Sequence, residues 1–155
     1  MLLSEILRSD LIKVGLDATN RREAIGELID LLVQRHEIAY SHRTEVVESL
    51  RAHDDSVVSG MEGGVAVPHA VTDRAEDIIA ALGVSKAGID FHATDGKPSH
   101  IIVVLIAPKR DFSGEVRTLA GIQHLFENEL LKEKIRTAGT PDAVYDAIHD
   151  AEQHL

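Results

Sequence analysis

Apolar and polar residues follow two rhythms along this chain, one helical and one extended. Leu2, Leu3, Ile6 and Leu7 recur at helical spacing, with Ser4 placed to cap a short turn. Leu11, Ile12, Val14 and Leu16 alternate loosely and predict a strand. Asn20-Arg21-Arg22-Glu23 has the form of a capping box. Ala24, Ile25, Leu28, Leu31 and Leu32 then follow a single face, which predicts a helix ending near His36. Ser41 is the expected cap of a second helix, with Val46, Val47 and Leu50 inward and an end near His53. Val57-Val58 reads as a small strand and Val65-Ala66-Val67 as a buried one, which Pro68 ends because it has no N–H for a ladder. Asp73 to Asp77 is a charged turn, and Ile78 to Ser85 a strand with Gly88 marking the turn after it. Ile89 and Phe91 start a short extended piece, and Asp95-Gly96 is a turn signal. Ile101 to Ile106 is continuous and β-branched, so it predicts a strand buried on both faces, stopped by Pro108. Val116, Leu119, Ile122 and Phe126 lie at helical spacing in a helix that begins around 113–115 and is broken or restarted at Asn128-Glu129. Leu130, Leu131 and Ile135 continue it until Gly139. Thr140-Pro141 opens a last helix with Val144, Tyr145 and Ile148 inward.

Helix-rich ends around central strands indicate an α/β domain with helices covering a sheet. Residues 1–155 carry no repeat, linker or low-complexity segment, so a single domain is expected over that span. The balance of 26 acidic against 16 basic residues leaves a charge of −10, which argues against nucleic acid and anionic membrane as partners. With no cysteine there is neither a disulfide framework nor thiolate chemistry. No apolar run reaches the roughly 18 residues of a membrane span, and Met1-Leu2-Leu3-Ser4-Glu5 lacks the basic start of a secretory signal. A cytoplasmic location without membrane insertion is therefore expected.

The stretch with the most chemistry is Ser59-Gly60-Met61-Glu62-Gly63-Gly64-Val65-Ala66-Val67-Pro68-His69-Ala70. Glycines permit φ > 0 and close approach of another molecule. The short apolar run and Pro68 would leave His69 at a strand terminus beside a glycine-rich turn. A free imidazole titrates near about 6.5 and is largely a neutral nucleophile at neutral pH. A loop-corner histidine is the plainer reading of the same spacing. Nine histidines raise the question of a metal, but no His-x-x-x-His pair or comparable ligand set occurs. His92 and His100 flank a turn and read as surface residues. No phosphate-binding Gly-x-x-x-x-Gly-Lys loop exists, and Ser59 lies in no Gly-x-Ser-x-Gly elbow, so Ser59 is expected to serve as a hydroxyl donor near the turn or as a turn residue. Asp95 reads as a cap of its own turn.

In its wording, Gly60 to His69 resembles the active-site motif of the type-2 enzyme IIA domains of the bacterial phosphotransferase system, the fructose/mannitol and nitrogen-regulatory IIA family. Asp95-Gly96-Lys97-Pro98 and the apolar run from Ile101 extend the likeness over nearly the whole chain. The resemblance implies a single α/β domain, a small mixed β-sheet flanked by α-helices on both sides. It implies a phosphocarrier in which His69 accepts a phosphoryl group from the histidine phosphocarrier protein. His69 then passes it to a IIB domain, or holds it as a signal to a regulated target protein, without metal or organic cofactor. Phosphoryl transfer needs positioning and donors more than covalent help, and backbone N–H groups of a glycine turn, with Ser59, are the expected donors. Asp54 falls where the family has the acid of an Arg-Glu pair. His53 takes the basic position, with Arg51 as a nearby substitute. Glu115 replaces the family's second histidine at the start of a helix. There it repels an incoming phosphoryl group, or instead accepts a hydrogen bond from His69 and orients one tautomer. Arg117 is an offset anion partner. Two other readings stand beside the carrier: a regulatory protein-binding module on the same fold, and a small-molecule sensor using a glycine-lined pocket.

Overall fold

The β-branched run starting at Ile101 is the axis of the molecule. The computed structural model describes residues 1–56 and 60–155. Among these residues, six strands lie in one mixed sheet: β1 (Ile12–Val14), β2 (Gly60–Met61), β3 (Val65–Ala66), β4 (His69–Thr72), β5 (Ile79–Ile89) and β6 (Ser99–Pro108). Among the described residues, six helices surround it: α1 (Leu3–Ile6), α2 (Arg21–Gln34), α3 (Arg43–Ser56), α4 (Phe112–Leu125), α5 (Glu129–Thr137) and α6 (Pro141–Glu152). The strand order is β1-β5-β6-β3-β2, with β4 also paired to β6. β5 runs antiparallel to β6, whereas β3 and β4 run parallel to β6 along the same edge. Side chains alternate between the faces of a strand. Ile101 to Ala107 are nevertheless all at most 1% exposed, so both faces are covered. One cover is α2 and α3, packed on each other and on β4 to β6, and the other is α4, α5 and α6 with α1.

Local chemistry explains most element ends. The Asn20 side chain accepts from the Glu23 N–H at 2.9 Å and opens α2 as expected. Thr140 caps α6 with Pro141 at its first position, and Asn128 caps α5. Ser4 lies inside α1 rather than capping it, because Leu2 holds the N-cap position. Tyr40–His42 form a 3-10 turn where Ser41 was the expected cap, so α3 starts at Arg43 and runs on to Ser56. That extension puts His53 and Asp54 in its last turn. Gly88, at φ +85°, lies within β5 at a register shift between Val84 and Ile89 instead of in a turn beyond the strand. The expected strand at Val57-Val58 lies outside the described residues. Among those described, no helix is long and apolar enough to cross a membrane.

Candidate functional site

Pro68 breaks the edge strand without ending it. β3 stops at Ala66, the Pro68 carbonyl accepts from the Leu105 N–H at 2.9 Å, and pairing with β6 resumes at His69 opposite Leu105. Along β4 exposure alternates, with His69 half-buried and Ala70 buried. The His69 ring is fixed by its own backbone: Nδ1 lies 2.6 Å from the Val67 carbonyl oxygen. A carbonyl only accepts, so Nδ1 carries the proton and Nε2 keeps its lone pair.

Two helix ends converge on this ring. From α3, His53 meets it edge-on, with centroids 4.9 Å apart and planes at 68°. From α4 comes Glu115, in the first turn. The Asp111 carboxylate accepts from the Gly114 N–H at 3.1 Å and sets the start of α4. A Cβ at Gly114 would overlap that carboxylate, so the cap requires glycine there. Glu115 is only 6% exposed, and its Oε2 has no hydrogen-bond partner. Burial pushes its carboxyl above the usual range, and His69 and His53, in their protonated forms, partly oppose this. No hydrogen bond joins Glu115 to His69, so the tautomer is set by the Val67 carbonyl. The inward stripe of α4 is Glu115, Thr118, Ile122 and Leu125, while Val116, expected on that face, is 49% exposed beside Phe112 at 62%. A carboxyl has taken a place the apolar pattern assigned to valine.

The other expected site residues are placed as follows. Asp54 is buried, with Oδ2 2.6 Å from Arg21 Nη1 of α2, so its cation is Arg21 and not Arg51. Arg51 instead donates to the Arg22 carbonyl oxygen. Arg117 is exposed. Ser59 lies outside the described residues.

The glycine turn stands away from His69. Glu62-Gly63-Gly64 link β2 to β3, with Met61 paired to Val65 and Val65 opposite Ile101. Ile101 and Leu105 are four steps apart along β6, about 13 Å at strand rise. The turn is clamped there: the Gly63 N–H donates to Asp95 Oδ2 at 3.0 Å, and Lys132 Nζ donates to the Gly63 carbonyl at 3.1 Å. The Gly63 N–H is therefore committed, and the turn does not cradle a group on His69. Lys132, 5% exposed and also paired with Glu129 at 2.8 Å, had no sequence signal beyond a lysine on an amphipathic helix. Asp95 does cap its own turn, through the Lys97 N–H, and its two backbone hydrogen bonds hold its carboxyl below the usual range. His100 Nδ1 meets the Ser85 carbonyl and His92 lies by Asp90, so the two have separate partners. No group of three or more His, Cys, Asp or Glu side chains placed to hold a metal occurs among the described residues. A wide groove lined by Arg8, His42, Arg74 and Arg110 contains neither His69 nor the glycine turn.

Residues 5–151 match the family model described as "Phosphoenolpyruvate-dependent sugar phosphotransferase system, EIIA 2". The chain is 24% identical over 149 residues to the PTS system fructose-specific EIIABC component of Bacillus subtilis, covering 96% of this chain but 23% of that protein. It is 25% identical over 146 residues to the PTS system fructose-specific EIIA component of Haloferax volcanii, with 94% of each covered. Its fold is similar to the crystal structure of the nitrogen regulatory protein IIA-Ntr from Neisseria meningitidis, with a TM-score of 0.84 at 22% identity, covering 94% of this chain and 98% of that one.

Proposed function

Because the chain belongs to the EIIA 2 family of the phosphoenolpyruvate-dependent sugar phosphotransferase system, we propose that it is a phosphocarrier whose acceptor is His69 Nε2. One observation carries this reading. The Val67 carbonyl holds the Nδ1 proton and leaves the outer nitrogen of a half-buried ring nucleophilic. The phosphoryl donor in this reading is the phosphohistidine of the histidine phosphocarrier protein. The His69 Nε2 lone pair attacks phosphorus, the P–N bond to the donor ring breaks, and the donor nitrogen keeps that electron pair. The proton stays on Nδ1, hydrogen-bonded to the Val67 carbonyl oxygen throughout, so no base is needed. The group then passes to a IIB domain or is held as a signal for a regulated target. Asp54, paired with Arg21, holds the end of α3 in place, and Glu115 lines the acceptor position.

The test is incubation with phosphoenolpyruvate, enzyme I and the phosphocarrier, followed by mass measurement. The expected result is a single acid-labile phosphoryl group on the wild type and none on His69→Ala. A second reading, a protein-binding module that does not turn over, is favoured by Glu115, whose carboxylate when ionised repels an incoming phosphoryl group. Absence of label under conditions that load a standard IIA protein would favour that module.

A further inference from the structure

A phosphoryl group on His69 Nε2 brings three oxygens, and these need donors. The Nδ1–H of His69 is committed to Val67, and the glycine turn is clamped about 13 Å away along the sheet. Arg21 is engaged by Asp54 and Asp55, Arg51 by the Arg22 carbonyl, and Arg117 is exposed on α4. His53 remains. Its ring lies edge-on to His69 at 4.9 Å, and no hydrogen bond engages it among the described residues. The charged and titratable groups around it are His69 from β4, Glu115 from α4 and, on its own helix, Asp54.

We infer that His53 is a second imidazole of the site, donating a ring N–H to an oxygen of the phosphoryl group carried by His69. This rests on His69 being the acceptor. His53 forms no covalent bond in the step and neither gives up nor gains a proton. It supplies a hydrogen bond that strengthens as negative charge arrives. Glu115 completes the environment: a buried carboxyl that keeps its proton more readily than an exposed one repels the oxygens less. The second ring of the pair thus comes from the end of α3, not from the start of α4.

Phosphoramidate tests this without any protein partner, because the P–N bond to ammonia breaks as the bond to His69 forms. Loading is followed by mass, and the imidazole nitrogens by ¹H–¹⁵N NMR. The wild type should load, His69→Ala should not, and His53→Ala should load about ten-fold more slowly, as expected for a lost hydrogen bond to a charged group. His53→Gln, which keeps an N–H donor, should recover most of the rate, and the His53 ring resonances of the wild type should shift on loading. Equal rates for wild type and His53→Ala with unshifted His53 resonances would overturn the role of His53 and leave the acceptor intact. A wild type that stays unloaded, or a His69→Ala variant that loads, would overturn the acceptor itself and this inference with it.

Discussion

At the scale of single residues, Glu115 is where pattern and chemistry part. Helical spacing put Val116 inward, and the structure turns the stripe by one position so that a carboxyl faces the imidazoles. Burial raises its pKa, so the native state binds this proton more tightly than the unfolded chain. The stability it contributes is therefore full below the ordinary carboxylate range and is lost as pH rises through the native value. Glu115→Gln removes the charge and keeps the shape. It should stabilise the protein by about 1 kcal/mol at pH near 7.5, a rise in Tm of about 2–4 °C at this chain length. The gain should vanish by about pH 4, where a glutamate is largely protonated in the unfolded chain as well. Thermal melts of both proteins across that range check it, and a gain that grew on acidification would contradict the sign. His69, the proposed acceptor, was singled out in the sequence by the wording of its motif. The contact with His53 was not, because it depends on α3 continuing past the expected end at His53 and lying over β4.

Between elements, the decisive link is the one from the glycine turn to His69. Five residues of near-extended chain carry the backbone well over 10 Å at strand rise, so neighbours in the motif are not neighbours in space. The break at Pro68 was readable from its missing N–H, but the resumption of pairing at His69 was not, since it depends on β6 extending far enough to accept a second strand on the same edge. The capping of α2 and α6 was readable because each cap is a contact between residues three apart, whereas Asn128 reads in the sequence only as a break or restart of a helix and not as the cap it forms for α5. Gly64 sits at φ +85°, with no heavy atom nearer than 3.7 Å to an added Cβ, so conformation and not crowding demands glycine. Gly64→Val should cost about 1–3 kcal/mol of stability yet leave the initial rate of phosphoryl loading on His69 near that of wild type. Urea unfolding and the loading assay together check this, and a lost rate in a folded variant would tie the turn to the site after all.

At the scale of the whole molecule, the sheet is held by β6, covered on one side by α2 and α3 and on the other by the α4–α6 layer. That arrangement was legible because a continuous β-branched run has to be hidden on both faces. Leu105 is fully buried at its centre and is the cross-strand partner of His69. Leu105→Ala should lower stability by about 3 kcal/mol, seen as a lower urea midpoint at unchanged slope. Unchanged stability would mean that this layer is not the cooperative core. The groups around His69 come from both covers, His53 from one and Glu115 from the other, whereas the contact that fixes its ring and tautomer is made by the peptide bond after Val67. No change of codon elsewhere can delete a main-chain oxygen. In the proposed carrier, substitution of the surrounding side chains therefore changes how fast the group is loaded but leaves the tautomer in place, so accessory chemistry can drift while the backbone keeps the acceptor nitrogen available.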